Sequence, residues 1–511
     1  MYLTQSLHRA VQQHPDRIAV RFGDRQRTFR AFADRVARLA GALQKLSLQE
    51  GDRVAILSLN SDRYLEYQMA VPWAGGVLNP CNIRWSAAEI LYSLDDSGST
   101  ILLVDETFRP MVEQFRGDSR TLREVIYCGD GAVPAGMHGY EALLAAAEPG
   151  PDVARRGEDL AGIFYTGGTT GFPKGVMLSH TNMCSSGLAL LAEGLATPGG
   201  VYLHAAPMFH LADMGLAMPH WFEGNTHAIV PAFNPEVVLD TIERCRVTHA
   251  LFVPTMIQMT VDHPTMQKPR DLSSLKSIAY GASPISEAVL ERAMAALPGV
   301  GFTQAYGMTE LSPLATVNPA YYHTVEGRKL GKLRAAGRAG YCIELRIVDP
   351  AGNEVPRGTV GEVAVRGPNV FTGYLNRPDA TAEAMRDGWF FTGDLATRTA
   401  DGYVRIVGRR STDLIKTGGY KVGAGEIEVA LLEHPDVSEV AVTAGPDEDL
   451  GERIIAWVVA EDTSATPDPK DLINHVAQQL APHKRPREVH FLDELPRNAM
   501  GKVVKQRLGT S

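Results

Sequence analysis

The sequence lacks several features that would define other classes of protein. It has no run of about 18 apolar residues, so we expect no membrane span. Its opening segment, MYLTQSLHRAVQQHPDR, has no apolar core of the kind found in signal peptides. The five cysteines are scattered and form no CxxC pair, which argues against both a disulfide framework and a zinc site. We therefore expect a cytoplasmic protein with no integral membrane segment.

A basic surplus is also missing. The formal net charge is -9, and a nucleic-acid partner is therefore not expected. Hydrophobic residues make up 44% and charged residues 21% of the chain, the balance of an ordinary globular protein. With 511 residues, the chain exceeds the size that one hydrophobic core usually serves, so we expect at least two domains. A homodimer is left open.

The first half of the chain alternates between strand-like and helix-like segments. This alternation predicts an α/β fold in which helical crossovers connect largely parallel sheets. The segments behind this prediction are the strand-like stretches 18–22, 54–57 and 100–104, the helical face of Phe32, Val36, Leu39 and Leu43, and a helix running to Leu94 that Ser86 and Glu89 open with a capping box.

The pattern changes near residue 400. A strand over 403–407 and a polar, basic connector over 408–412 precede a mixed series of short elements. Those elements are a helix over 426–432, strands over 437–443, 454–459 and 489–492, and a helical stripe from Leu472 to Leu480. The order predicts a small, mobile α+β C-terminal domain. We therefore divide the chain into a large N-terminal domain of layered sheets and helices, 1–409, and a small domain, 410–511.

A glycine- and threonine-rich segment is the most informative local pattern. It reads Tyr165-Thr166-Gly167-Gly168-Thr169-Thr170-Gly171-Phe172-Pro173-Lys174-Gly175. The glycines let the backbone turn and direct N–H groups toward a phosphate, while the threonine hydroxyls and the lysine add further donors. Because no GK[ST] follows, this is not the usual P-loop. The alternative is a plain surface loop.

The segment resembles the TSGTTGxPKG signature of the adenylate-forming superfamily, which includes acyl-CoA synthetases and coumarate–CoA ligases. Gly167 stands where the family usually has serine. The resemblance implies that the residues from Thr166 to Thr170, together with Lys174, bind the phosphates of ATP.

Further segments resemble the family in the same chain order. Gly281-Ala282-Ser283 resembles its adenine-contacting strand end, Tyr306-Gly307-Met308-Thr309-Glu310 its YGMTE segment, and Thr392-Gly393-Asp394 its TGD. The resemblance implies that Tyr306 stacks on adenine, that Thr309 contacts the α-phosphate, and that Glu310 holds Mg²⁺ together with Thr166. It also implies that Asp394 binds the ribose hydroxyls. Taken singly, each of these residues would more often be structural.

The remaining matches lie at the hinge and beyond it. Gly408-Arg409-Arg410 resembles the family's hinge, but the spacing is one residue longer than usual, so either Arg409 or Arg410 is the ribose-binding arginine. The stretch containing Lys416, Gly418 and Gly419 resembles the loop that forms the coenzyme A tunnel. Pro496 to Lys502 resembles the PRNxxGK ending, which implies that Lys502 is the adenylation lysine.

Two further parts of the sequence bear on which acid the protein uses. His210, in Pro207-Met-Phe-His210, resembles the family's residue beside the acyl carbonyl, although a core histidine is nearly as good an interpretation. The small domain is similar to that of bacterial malonyl-CoA ligases, but those enzymes have arginine just before YGMTE and this chain has Gln304-Ala305. A buried second carboxylate would lack its cation there. We therefore favour a monocarboxylate with an aliphatic or aryl tail, and a pocket lined by Met208, His210, Met214, Trp221, Phe252, Ala305 and Met308.

The sequence thus predicts an ATP-dependent acyl-CoA ligase that uses Mg²⁺, ATP, coenzyme A and a small carboxylic acid. Three kinds of alternative remain open at this point. In the first, the acid is a dicarboxylate, and in the second, the acyl acceptor is not coenzyme A. In the third, the protein is of another class, either a non-catalytic nucleotide-binding protein or a phosphotransferase.

Overall fold

The computed structural model describes residues 1–166, 173–283, 285, 287–409, 414–417, 420–447, 449–462, 466–498 and 503–509, with the backbone alone at 414, 416, 420, 421 and 451. Within these ranges, no helix is both long enough and apolar enough to cross a bilayer.

Among the described residues, the strands up to residue 409 build three sheets. In chain order they are β1 (Ile18–Phe22), β2 (Arg25–Thr28), β3 (Arg53–Leu57), β4 (Val77–Pro80), β5 (Ser99–Val104), β6 (Glu124–Tyr127), β7 (His138–Gly139), β8 (Leu160–Thr166), β9 (Lys174–Ser179), β10 (Val201–His204), β11 (Thr226–Ile229), β12 (His249–Phe252), β13 (Ser277–Gly281), β14 (Gly301–Tyr306), β15 (Thr316–Asn318), β16 (Arg338–Ala339), β17 (Glu344–Val348), β18 (Gly361–Arg366), β19 (Gly373–Tyr374), β20 (Met385–Arg386), β21 (Trp389–Arg398) and β22 (Val404–Arg409).

Helices cover these sheets. They are α1 (Gln5–Gln13), α2 (Phe29–Lys45), α3 (Asp62–Trp73), α4 (Ala87–Ser97), α5 (Arg109–Phe115), α6 (Tyr140–Ala146), α7 (His180–Ala192), α8 (Leu211–Glu223), α9 (Pro235–Cys245), α10 (Pro254–Val261), α11 (Glu287–Ala296), α12 (Val325–Arg328) and α13 (Pro378–Ala384), with 3₁₀ turns at Pro264–Gln267, Thr309–Leu311 and Ala320–His323.

Two of the sheets are mainly parallel, as the alternating pattern predicts. Sheet A has the order β16-β15-β14-β13-β12-β10-β11-β1-β2, and its strands from β14 to β1 run parallel. Sheet B has the order β19-β9-β8-β4-β3-β5-β6-β7, in which β9 runs antiparallel to both of its neighbours, β8 and β19. Sheet C, with the order β17-β18-β21-β20 and β22 beside β21, is antiparallel.

The last part of the chain forms a separate small sheet with its own core. Its strands are β23 (Leu414–Thr417), β24 (Tyr420–Gly423), β25 (Val437–Asp447), β26 (Gly451–Ala460) and β27 (Glu488–Phe491), and its helices are α14 (Ala424–Leu432) and α15 (Pro469–Gln479), with 3₁₀ turns at Pro482–Lys484 and Lys505–Arg507. Ile427, Leu431, Val458, Leu472 and Val476 are buried together there. The mixed α/β class, with a large N-terminal and a smaller C-terminal unit, is confirmed.

Local predictions in the first half are confirmed closely. The strand over 18–22 is β1, and the apolar stripe of α2 is fully buried. The capping box at α4 forms, because the Ser86 side chain accepts from Glu89 N while the Glu89 carboxylate accepts from Ser86 N. The prediction of a connector over 408–412 is wrong for its first two residues. Gly408 and Arg409 continue β22, since they pair with Leu395 and Asp394 of β21.

Candidate active site

The carboxyl ends of β13 and β14 lie side by side in sheet A and carry two of the predicted segments. Gly281 pairs with Ala305, and a Cβ at Gly281 would lie 2.1 Å from the Ala305 carbonyl oxygen, so this approach requires glycine. The next residue, Ala282, has a φ of +68°, a conformation that costs a non-glycine residue about 1 kcal/mol or more. Ser283 is exposed. The chain therefore turns sharply away at the sheet edge where α/β proteins bind ligands.

The segment after β14 is held by a second close approach. A Cβ at Gly307 would lie 1.7 Å from the Pro313 carbonyl oxygen, and Ala315 N donates to Tyr306 O at 2.8 Å. These contacts place Thr309 and Glu310 in a 3₁₀ turn directly beyond the strand end. The predicted Tyr306 to Glu310 segment thus lies next to Gly281-Ala282-Ser283.

Asp394 lies where β21 and β22 pair, opposite Arg409. Its carboxylate accepts from the Tyr306 hydroxyl at 2.7 Å and from Arg409 Nε at 2.9 Å. Burial and the adjacent Asp394 charge raise the pKa of Tyr306 well above its ordinary value. Burial lowers the pKa of Arg409, but the Asp394 and Glu310 carboxylates outweigh burial and raise it overall. Three residues far apart in sequence therefore form one charged, hydrogen-bonded group.

Glu310 has a hydrogen-bond partner that no sequence motif indicates. The Tyr374 hydroxyl donates to Glu310 Oε1 at 2.8 Å, and Lys174 Nζ lies 5.1 Å from the centroid of the Tyr374 ring. Burial and the Glu310 charge raise the pKa of Tyr374. No local pattern marks this residue, because β19 is two residues long and its partners belong to other strands and turns.

The phosphate segment begins and ends on paired strands. Thr166 ends β8 and faces Lys174, the first residue of β9. The Tyr165 hydroxyl donates to Asp96 Oδ2 at 2.8 Å, which fixes the strand before the segment. The predicted phosphate-binding residues Gly167, Gly168, Thr169 and Thr170 lie outside the described residues.

His210 is the residue directly before α8, at its N-cap. Its ring centroid lies 4.1 Å from that of Phe209, and the preceding Met208 N donates to Asn60 Oδ1 at 2.8 Å. Met208, Met214 and Phe252 are buried, whereas Ala305 and Met308 are partly exposed.

Trp221 lies further along the same helix. It lies about 16 Å along α8 from His210, with its ring stacked on Phe32 and His227 at centroid distances of 5.5 and 3.9 Å. Trp221 is therefore part of the core beneath α2, and its place in the acyl pocket stays a prediction.

A buried polar chain anchors the first turn of α8. Asp213 Oδ2 lies 2.6 Å from His204 Nδ1, and His204 Nε2 lies 2.9 Å from His227 Nδ1, with Asp213 and His204 fully buried. Burial lowers the pKa of His227 well below its ordinary value, so its imidazole is neutral. This chain of hydrogen bonds could not be predicted from the sequence, because histidines on β10 and β11 carry no spacing that indicates contact.

Several predicted residues of the C-terminal part are not described. Arg410, Gly418, Gly419, Lys502 and the Lys416 side chain lie outside the described residues, although the Lys416 backbone belongs to β23. On either side of Lys502 the chain is fixed. Arg497 and Val503 form an antiparallel bridge, and Val504 N donates to Pro496 O at 2.7 Å.

Comparison with known proteins covers nearly the whole chain. Residues 7–375 match the family model of the AMP-binding enzyme, and residues 426–502 match that of the AMP-binding enzyme C-terminal domain. A feruloyl-CoA synthase of Amycolatopsis sp is 37% identical over 498 residues, 97% of this chain and 96% of that protein. A fatty acid–acyl-carrier-protein ligase of Streptomyces coeruleorubidus is 35% identical over 509 residues, 99% of this chain and 95% of that protein. The Bacillus subtilis o-succinylbenzoate CoA synthetase, solved with the acyl-adenylate intermediate OSB-AMP, superposes with a TM-score of 0.86 at 29% identity, covering 100% of this chain and 98% of that one.

Proposed function

The chain belongs to the AMP-binding enzyme family and is an ATP-dependent acyl-CoA ligase, and from this premise we propose which residues perform the reaction and which class of acid they accept. The observation that carries the proposal is the carboxylate of Asp394, held by Tyr306 and Arg409 beside the Glu310 turn.

The nucleoside of ATP is assigned to the edge of sheet A. Asp394 would accept hydrogen bonds from the ribose hydroxyls, and Arg409 would hold that carboxylate in place. The ring of Tyr306 and the backbone of Gly281-Ala282-Ser283 would enclose the adenine. Arg409 is our choice for the ribose arginine because it contacts Asp394; Arg410 is left as the alternative.

The triphosphate is assigned to the place where β8 ends and β9 begins. Thr166, the segment 167–170 and Lys174 would donate to the phosphate oxygens. Glu310 and Thr166 offer a carboxylate and a hydroxyl, the hard oxygen ligands that suit Mg²⁺. When bound, the metal supplies positive charge against the phosphates.

In the first half-reaction, a carboxylate oxygen of the acid attacks the α-phosphorus of ATP. The bond from that phosphorus to pyrophosphate breaks, which gives acyl-AMP. Lys502 and Thr309 would stabilise the negative charge that develops on the α-phosphoryl oxygens. His210 would lie beside the acyl carbonyl.

In the second half-reaction, the coenzyme A thiolate attacks the acyl carbonyl carbon and the carbon–oxygen bond to AMP breaks. We propose that the small domain, 410–511, rotates against 1–409 between the two steps and replaces Lys502 with the Gly418-Gly419 backbone, with Lys416 on the same face. Glycines there would let the pantetheine arm lie close to the main chain. We place the enzyme in the cytoplasm, where ATP and coenzyme A are available and the cysteines remain free thiols.

The acid is proposed to be a monocarboxylate with an aliphatic or aryl tail. Met208, Met214, Phe252, Ala305 and Met308 would line its pocket. Apolar side chains dominate this set, and position 305 offers a methyl group where a dicarboxylate would need a cation. The feruloyl and fatty-acid names of the two relatives support this class.

An acid panel tests this proposal. With ATP, Mg²⁺ and coenzyme A, we expect pyrophosphate release to be fastest with an aryl or aliphatic monocarboxylate and negligible with malonate, with acyl-CoA identified by mass. Ala305→Arg should raise kcat/KM for malonate by about 10-fold, because the new guanidinium pairs with the second carboxylate, and should lower it for the apolar acid.

The matched control is Gln304→Arg. Neighbouring residues of β14 point to opposite faces of the sheet, so this arginine should leave the preference unchanged. Malonate as the best substrate of the unaltered chain would contradict the acid class. An acyl product found on a carrier protein's phosphopantetheine and never on free coenzyme A would contradict the proposal that coenzyme A is the acyl acceptor.

A further inference from the structure

The short strand β19 connects the two charged parts of the proposed phosphate site. On one side, Phe371 N donates to the Glu310 carbonyl oxygen at 2.9 Å, and the Tyr374 hydroxyl donates to the Glu310 carboxylate at 2.8 Å. Both the backbone and the side chain of Glu310 are therefore held by a single segment, 371–374.

On the other side, the same segment is bonded to β9, which Lys174 begins. Tyr374 pairs with Val176, Thr372 N donates to Met177 O at 3.0 Å, and Leu375 N donates to Gly175 O at 2.8 Å. These bonds fix the position of the Tyr374 ring relative to the start of β9.

The Tyr374 side chain also contacts two opposite charges. Its ring face holds the Lys174 ammonium at 5.1 Å, a cation–π distance, while its hydroxyl meets Glu310. Without the ring, an ammonium and a carboxylate at these positions would be drawn together into an ion pair.

We propose that Tyr374 is a positioning residue for Mg·ATP: its hydroxyl orients the Glu310 carboxylate for the metal, and its ring keeps Lys174 from pairing with that carboxylate so that the ammonium meets the phosphates. The inference rests on the proposed metal role of Glu310. Hydrogen-bond partners of metal-ligating carboxylates typically contribute 10- to 100-fold to metal affinity.

Two substitutions separate the two parts of this role. Tyr374→Phe keeps the ring and loses the hydroxyl, so Mn²⁺ should bind the complex of the full chain with α,β-methylene-ATP about 10-fold more weakly. The affinity for the metal-free analogue in EDTA should stay within about twofold. Tyr374→Leu should lower both the Mn²⁺ affinity and the affinity for the metal-free analogue, because Lys174 and Glu310 then form an ion pair. Electron paramagnetic resonance reports free Mn²⁺, and calorimetry reports the metal-free nucleotide.

Tyr403→Phe is the matched control. The Tyr403 ring also lies under a lysine, with Lys332 Nζ 4.7 Å from the ring centroid, but directly before β22. Loss of the Tyr403 hydroxyl should leave Mn²⁺ affinity unchanged. Wild-type Mn²⁺ affinity in Tyr374→Phe would overturn the inference. So would loss of metal-free binding in Tyr374→Phe, since the hydroxyl would then support the fold rather than the carboxylate. Failure of the unaltered chain to release pyrophosphate with any acid would instead refute the proposed reaction.

Discussion

Replacement of Lys502 by alanine should reduce adenylation by about 1,000-fold while the second half-reaction remains near its normal rate. One preorganised donor to a developing oxyanion typically contributes 100- to 1,000-fold to rate, and here the donor also carries a full charge. An ammonium on a flexible four-carbon stem can reach the α-phosphoryl oxygens. Thioester formation breaks a bond at the acyl carbon and does not require charge stabilisation at phosphorus.

The two steps can be measured separately. Acid-dependent exchange of labelled pyrophosphate into ATP reports adenylation, and acyl-CoA formation from supplied acyl-AMP reports the second step. Lys470→Ala removes an exposed lysine at the start of α15 and should alter neither rate. Equal losses in both half-reactions with Lys502→Ala would show that this lysine has a different role.

Asp394→Ala should raise the KM for ATP by about 100-fold. The Asp394 carboxylate accepts two hydrogen bonds, one from Tyr306 and one from Arg409. We have also assigned it the hydrogen bonds from the ribose hydroxyls of ATP. Hydrogen bonds to charged groups contribute about 1.5–3 kcal/mol each, so the loss of two to the ligand, at the lower figure, accounts for an effect of about 100-fold. The freed Arg409 also loses its orientation.

Asp401→Ala serves as the control for Asp394. Asp401 is an exposed carboxylate in the turn before β22, where it pairs with Lys332 and is assigned no contact with ATP. We expect its KM for ATP to change by less than twofold. An ATP KM within twofold of normal for Asp394→Ala, measured on protein with an unchanged circular dichroism spectrum, would remove Asp394 from the nucleotide site.

Local sequence patterns predicted the elements whose evidence is itself local. The helix α2 follows from apolar residues every three or four positions, and α4 follows from a serine three residues before a glutamate. The order of the family segments likewise predicted that Tyr306, Glu310 and Asp394 would meet at one place. The structure brings Tyr306 and Asp394 into direct contact.

Contacts between distant residues could not be predicted in this way. Tyr374 meets Glu310 across 64 positions of sequence, and only the pairing of β19 with β9 brings it there. Asp213 and His204 are close in sequence, but their hydrogen bond depends on how α8 packs against sheet A. The stacking of Trp221 on Phe32 and His227 could not be predicted for the same reason, because an aromatic residue on a buried helix can face either the pocket or the core.

The most direct test of the central claim follows oxygen from the acid. The best acid of the panel is prepared with ¹⁸O in its carboxylate and incubated with the enzyme, ATP, Mg²⁺ and coenzyme A, and the nucleotide product is weighed by mass spectrometry. Because the attacking carboxylate oxygen stays on phosphorus when the thiolate displaces AMP, we predict AMP carrying one ¹⁸O atom. Unlabelled AMP, or ADP accompanied by labelled phosphate, would contradict an acyl-adenylate route.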